Sequence, residues 1–127
     1  MGNQPLKGVA RLIAAFHNSV AGFGDVWRGE EAFRLEVIIF VLSIPAAFWL
    51  GSSIFSVVLL IVSVLLVVIV EVLNSAIEAV VDRIGPERHE LSRVAKDLGS
   101  LAVLLSMLVP GIVWSGALYA KLSGQAF

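Results

Sequence analysis

The chain contains no cysteine, which excludes disulfides and any thiolate-ligated metal. Charge is scarce as well: Asp, Glu, Lys and Arg make up 15% of the residues, against 58% hydrophobic. With a mean hydropathy of +0.94, a chain of 127 residues is too apolar for a soluble domain and falls in the membrane class. Two familiar nucleotide motifs are missing, the Walker pattern and the kinase-type glycine-rich loop. No signal peptide is expected, because Met1–Pro5 is a short polar lead followed by neither a long apolar core nor a small-residue cleavage site. Neither an internal repeat nor a low-complexity tract is visible, so residues 1–127 read as one integral-membrane domain. The net charge of −1 offers nothing to nucleic acid.

What charge there is has been placed with strong bias. All but one of the charged residues lie in two blocks, Lys7–Glu36 and Glu71–Asp97, and Lys121 is the exception. The two blocks must share one side of a membrane. They hold all but one of the Lys and Arg residues, so the positive-inside rule assigns that side to the cytoplasm. The N-terminus is then cytoplasmic and the C-terminus external.

Taken in order, residues 6–28 alternate at helical spacing. Val9, Ile13, Phe16, Val20 and Phe23 form an apolar stripe, with Lys7, Arg11, Asn18 and Asp25 opposite, which predicts an amphipathic helix lying on the membrane surface. Gly22, Gly24 and Gly29 are expected to punctuate the turn toward the membrane. The first crossing is expected over 32–50, bent at Pro45, and Gly51-Ser52-Ser53 then forms an outer turn. A second helix is expected over 54–84, longer than the ~20 residues a bilayer requires, and is stopped by Gly85-Pro86. The third is expected over 92–121, capped by Ser92 and kinked at Pro110-Gly111. Trp27, Trp49 and Trp114 suit interfacial anchoring or packing. The predicted fold class is thus an all-α membrane protein with one surface helix and three transmembrane helices.

The second helix carries the most informative stretch. The run Ile54–Val70 has no charged residue; then Glu71, Asn74, Glu78 and Asp82 follow at i, i+3, i+7 and i+11. At about 100° per residue they fall within roughly 80° of one another, a single carboxylated stripe at the margin of hydrocarbon. Charge there is expensive and marks a functional site, although Asp82, beside Arg83 and Gly85-Pro86, equally fits a headgroup acid meeting water. Paired carboxylates with an amide favour a hard divalent cation such as Mg²⁺. Neighbouring Lys96 and Arg34 suit a polyphosphate, as a point charge and a planar fork, or simple headgroup contact. Metal and basic groups at a membrane surface point to phosphoryl transfer onto a lipid.

The run Glu71-Val-Leu-Asn-Ser-Ala-Ile-Glu-Ala-Val-Val-Asp-Arg83, with His89-Glu90-Leu91-Ser92, Ala95-Lys96-Asp97 and Glu30-x-Ala-Phe-Arg-x-Glu36, closely resembles the prokaryotic diacylglycerol kinase family. The resemblance covers nearly the whole chain. It implies a homotrimer that transfers phosphate from ATP to diacylglycerol in the bacterial inner membrane, with active sites shared between subunits. It implies Glu71 as general base, and Glu30 and Glu78 as ligands of Mg²⁺ on the phosphates of ATP. Lys96 and Asn74 would contact the phosphates, with Asp97 in support, and Arg11 would lie near the γ-phosphate and the lipid headgroup. The Glu87-Arg88-His89 loop would touch the nucleoside. Arg34, Glu36, Ser100 and Trp114 would line the lipid's path.

Two positions depart from the family pattern: Asn18 stands in place of an aromatic near the nucleotide, and Arg93 in place of a small residue. Relatives that phosphorylate undecaprenol tend to carry His-Pro-Leu-Ala at positions 89–92, so His89-Glu90-Leu91-Ser92 favours diacylglycerol. An undecaprenol kinase and a small proton-conducting or transport assembly are the competing readings. The latter calls for acids near the midplane, whereas Glu71 and Glu78 fall toward one interface. Because three helices cover a polar cluster poorly, Glu30 and Glu71 are expected to meet across a subunit boundary.

Overall fold

The computed structural model describes residues 6–127; the Met1–Pro5 lead lies outside the described residues. Four helices follow in order: α1 (Gly8–Gly29), α2 (Glu31–Leu50), α3 (Ile54–Ile84) and α4 (Glu90–Leu122). No strand occurs among the described residues. The last three helices are long and apolar enough to cross a membrane.

Local chemistry sets where each helix starts and stops. The Ser53 hydroxyl accepts a hydrogen bond from the Ser56 amide at 3.2 Å, which caps α3. At the other end Gly85 takes φ 143°, a conformation that favours glycine, and Pro86 follows. The cap of α4 differs from expectation. Ser92 lies inside the helix, and His89 is the N-cap, its Nδ1 accepting from the Leu91 amide at 3.1 Å. An imidazole acceptor three residues earlier satisfies the first turn, so the helix begins before the serine is reached.

The break between α1 and α2 is also sharper than the glycines suggest. The first helix runs through Gly22 and Gly24, because a glycine inside a helix costs only about 1 kcal/mol and breaks nothing by itself. The turn is made at Glu30 alone, with φ −116° and ψ 113°. Its amide still donates to the Val26 carbonyl at 2.9 Å. Arg34 then reaches back, donating to the Trp27 carbonyl at 2.7 Å and to Arg28 at 3.4 Å. These are the last carbonyls of α1, which a helix leaves unpaired, so Arg34 ties the two helices at a fixed angle. Phe23, Trp27 and Phe33 pack edge-on and stacked around the same corner.

Helix α3 is the axis of the bundle, packed along α2 on one side and α4 on the other. Its apolar core lies at one end, where Ala47, Leu50, Val57, Leu60 and Ala117 are buried together. The same end is closed by polar ties. Lys121 donates to the Trp49 carbonyl at 2.9 Å and sits 4.5 Å from the centre of the Trp49 ring. The Ser52 amide donates to the Phe127 carbonyl at 3.0 Å. Buried serines are spread along the bundle, but the buried carboxylates and amide, Glu36, Glu71 and Asn74, lie toward the opposite end. By contrast α1 buries none of its side chains, and Val9, Ile13, Phe16 and Val20 are all exposed.

Candidate functional site

Two clusters lie at the polar end. The first is built on the α2–α3 contact. Glu71 is 5% exposed and Glu36, across from it on α2, 8%; the two carboxylates are close enough for their charges to act on one another. The charges of Glu30 and Glu78 also bear on Glu71. Asn74, one turn along α3, donates to Glu78 Oε1 at 3.4 Å. Its Oδ1 faces α4 at Gly99, where an added Cβ would collide with it. Glycine at position 99 is what allows α4 to approach this amide.

Within a single chain, then, the charges of Glu36, Glu30 and Glu78 are all felt at Glu71. The one-residue turn at Glu30 and the pairing of α2 with α3 put Glu30 at the same end of the bundle as Glu71. Three buried polar atoms beside them have no partner within the chain: Glu36 Oε2, Asn74 Oδ1 and Ser75 Oγ. A cavity of about 570 Å³ opens between α1 and α3, lined among others by Ser19, Asp25, Glu30 and Ser75.

The second cluster surrounds the α3–α4 connection. Lys96 donates to Asp82 Oδ1 at 2.6 Å. Arg93 pairs with Glu90 and with Asp97 on its own helix. A cavity of about 550 Å³ is lined by Asp82, Glu87, Arg88, His89, Arg93 and Lys96. The bulk of Arg93 is thus spent on the acids either side of it, and Asp97 is held by that arginine.

Other sequence-predicted residues fall elsewhere. Arg11 and Asn18 lie on exposed turns of α1, and at 1.5 Å per residue Arg11 is roughly 28 Å along the helix from Glu30. Ser100 is exposed on α4 beside Gly99. Trp114 donates its indole N–H to the Leu60 carbonyl at 3.2 Å and lines an apolar cavity of about 450 Å³ with Ser43, Val64 and Pro110. Arg34 is committed to the end of α1, as described above.

Sequence reasoning did not find the Asp82–Lys96 pair or the orphaned Ser75 hydroxyl. A 14-residue separation across a helix connection leaves no periodic signature, and a serine inside a helix ordinarily bonds to its own backbone. The Gly99-Ser100 pair did carry a signal, since small residues mark close helix approach in membranes.

Three membrane-length helices with a carboxylate and amide cluster buried at one end define an integral-membrane protein with a polar site at the margin of its apolar core. Comparison with known proteins narrows the class. The sequence model of the prokaryotic diacylglycerol kinase family matches residues 17–118. The chain is 52% identical over 107 residues to the diacylglycerol kinase of Escherichia coli, covering 84% of this chain and 88% of that one. It is 46% identical over 112 residues to that of Haemophilus influenzae, covering 88% and 95%. Against that of Pseudomonas aeruginosa it is 46% identical over 118 residues, covering 91% and 96%. The chain belongs to the prokaryotic diacylglycerol kinase family.

The Gly99–Asn74 contact gives a test of the site's architecture. Gly99→Ala is expected to lower stability by about 1–3 kcal/mol, the usual cost of overpacking, because the new methyl group must push Asn74 aside. Gly116→Ala, where the added methyl meets open space within the chain, is expected to stay within about 1 kcal/mol of the parent. Thermal unfolding in detergent would compare them, and equal midpoints would mean α4 does not press on Asn74.

Proposed function

We propose that the protein phosphorylates diacylglycerol to phosphatidic acid, using ATP, at the cytoplasmic face of the bacterial inner membrane. The observation that carries this reading is Glu71, a buried carboxylate on which the charges of Glu30 and Glu78 both bear, in a chain whose relatives are named diacylglycerol kinase. Glu71 acts as general base. It accepts the proton of the lipid's primary hydroxyl as that oxygen bonds to the γ-phosphorus, and the bond from phosphorus to the bridging oxygen breaks to release ADP. Its burial excludes competing water from the reacting oxygen.

The donor set fits a hard divalent cation. Glu30 and Glu78 supply oxygen ligands, and the buried Asn74 Oδ1 has no partner within the chain. Among the described residues no three acidic, His or Cys side chains close around one point. Mg²⁺ keeps several waters and relies on one or two carboxylates plus substrate phosphate, a set that Glu30 and Glu78 would supply. Bound there, Mg²⁺ supplies charge neutralisation on the transferring phosphate.

The remaining roles are those that membership of the family implies. Lys96 contacts the phosphates as a point charge, with Asn74 beside it and Asp97 in support. Glu87, Arg88 and His89 form the rim for the nucleoside, and Asn18 lies toward the nucleotide. Glu36, Arg34, Ser100 and Trp114 border the lipid's path. Helix α1 lies on the membrane surface with its apolar stripe in the headgroup region, and a homotrimer covers the polar end. Arg11 contacts the γ-phosphate and headgroup of a neighbouring subunit's site, because its distance from Glu30 along α1 takes it away from its own.

Three measurements test these assignments. Glu71→Gln is expected to keep the fold and nucleotide affinity while turnover falls about 10²–10⁴-fold, the usual worth of a general base; near-parental turnover of diacylglycerol in mixed micelles would refute the base. Glu30→Gln and Glu78→Gln are each expected to raise the Mg²⁺ requirement and weaken ATP binding together. A normal Mg²⁺ titration with slow chemistry would remove both from the metal site. Finally, an inactive Arg11→Leu variant mixed and reassembled with an inactive Glu71→Gln variant is expected to regain activity. Verified subunit exchange without recovery would confine each site to one chain.

A further inference from the structure

Among the described residues, Asp82–Lys96 is the one ion pair that joins two different helices. It spans the α3–α4 connection and borders the cavity of about 550 Å³ formed there. Both side chains are accessible, Lys96 at 42% and Asp82 at 66%, so the pair is open to an incoming anion. The other cation of the cavity's α4 wall, Arg93, is already engaged by Glu90 and Asp97. The charge of Glu78, one turn before Asp82 on the same face of α3, also bears on Lys96.

We propose that Asp82 is a resident anion at the phosphate-binding lysine. Its carboxylate occupies the position on Lys96 that a nucleotide phosphate takes, and nucleotide binding exchanges one anion for the other. This rests on Lys96 being a phosphate contact, as proposed above. A carboxylate oxygen and a phosphate oxygen are interchangeable acceptors for an ammonium group. With Asp82 in place, Lys96 is held at the cavity rim and a polyphosphate must displace the acid to reach it. Asp82 also adds a fixed negative charge that opposes an incoming polyanion. An exposed ion pair is weak enough to be displaced at millimolar nucleotide. Asp82 is thus a positioning residue that sets nucleotide affinity through Lys96.

The test uses the full chain in mixed micelles. Asp82→Asn is expected to lower the KM for MgATP about twofold to fivefold, the range to which the worth of an exposed ion pair converts, with the change carried by KM rather than kcat. Inorganic tripolyphosphate, which has no nucleoside, is expected to inhibit this variant more strongly by a similar factor. Asp82→Glu, which keeps the charge, is expected to restore parental values. A KM that is unchanged or raised in Asp82→Asn, alongside weakened nucleotide binding in Lys96→Met, would overturn the exchange and leave Lys96 as a phosphate contact. Undiminished nucleotide binding in Lys96→Met would instead remove the phosphate assignment and the exchange with it.

Discussion

Keeping the Glu71 carboxylate 5% exposed on a helix whose preceding turns are mostly Val, Leu and Ile is the constraint around which this bundle is arranged. An unpaired charge in such surroundings costs several kcal/mol. Placement along α3 reduces that cost. Counting from Ile54, Glu71 stands roughly 26 Å along the helix, close to the edge of a hydrocarbon layer about 30 Å thick. Helix α3 spans 31 residues, so the turns carrying Asn74, Glu78 and Asp82 emerge beyond that edge. The extra length of α3 is what carries the carboxylate stripe out of the lipid.

The two ends of the bundle divide the work of holding together from the work of presenting polar groups. At the Lys121 end, small and branched side chains fill the space between α2, α3 and α4, and backbone carbonyls of Trp49 and Phe127 are tied by Lys121 and Ser52. Rigidity there leaves the other end free to carry groups that pack badly. Gly99 allows close approach at that end, and Arg34 fixes the corner between α1 and α2. Gly99 admits Asn74 against α4, and Arg34 holds the turn at Glu30 through the last carbonyls of α1.

Much of this was readable from the chain alone. Uncharged runs such as Ile54–Val70 and Leu98–Ala120 can bury only as membrane helices, so three crossings follow from solvation. The stripe of Glu71, Asn74, Glu78 and Asp82 follows from helical geometry. Helix boundaries were less legible, because the His89 cap depends on which nitrogen meets the Leu91 amide, and Gly22 and Gly24 are tolerated inside a helix. Contacts between helices were least legible of all. That Lys96 meets Asp82, or that Asn74 faces Gly99, depends on how far α4 is rotated and shifted against α3.

The polar end is unfinished as a protein interior, and the deficit has a definite chemistry. Glu36 Oε2, Asn74 Oδ1 and Ser75 Oγ are buried without partners in the chain, at about 1–3 kcal/mol apiece. Three such groups amount to a sizeable share of a domain's whole stability of 5–15 kcal/mol. Two of the three atoms are pure acceptors and the third is a hydroxyl that both donates and accepts. A ligand that relieves them must bring hydroxyl donors or a cation, and not only apolar surface. The glycerol hydroxyl of the proposed lipid meets the first need and the proposed Mg²⁺ meets the second. An acyl chain alone offers these three atoms neither a donor nor a cation.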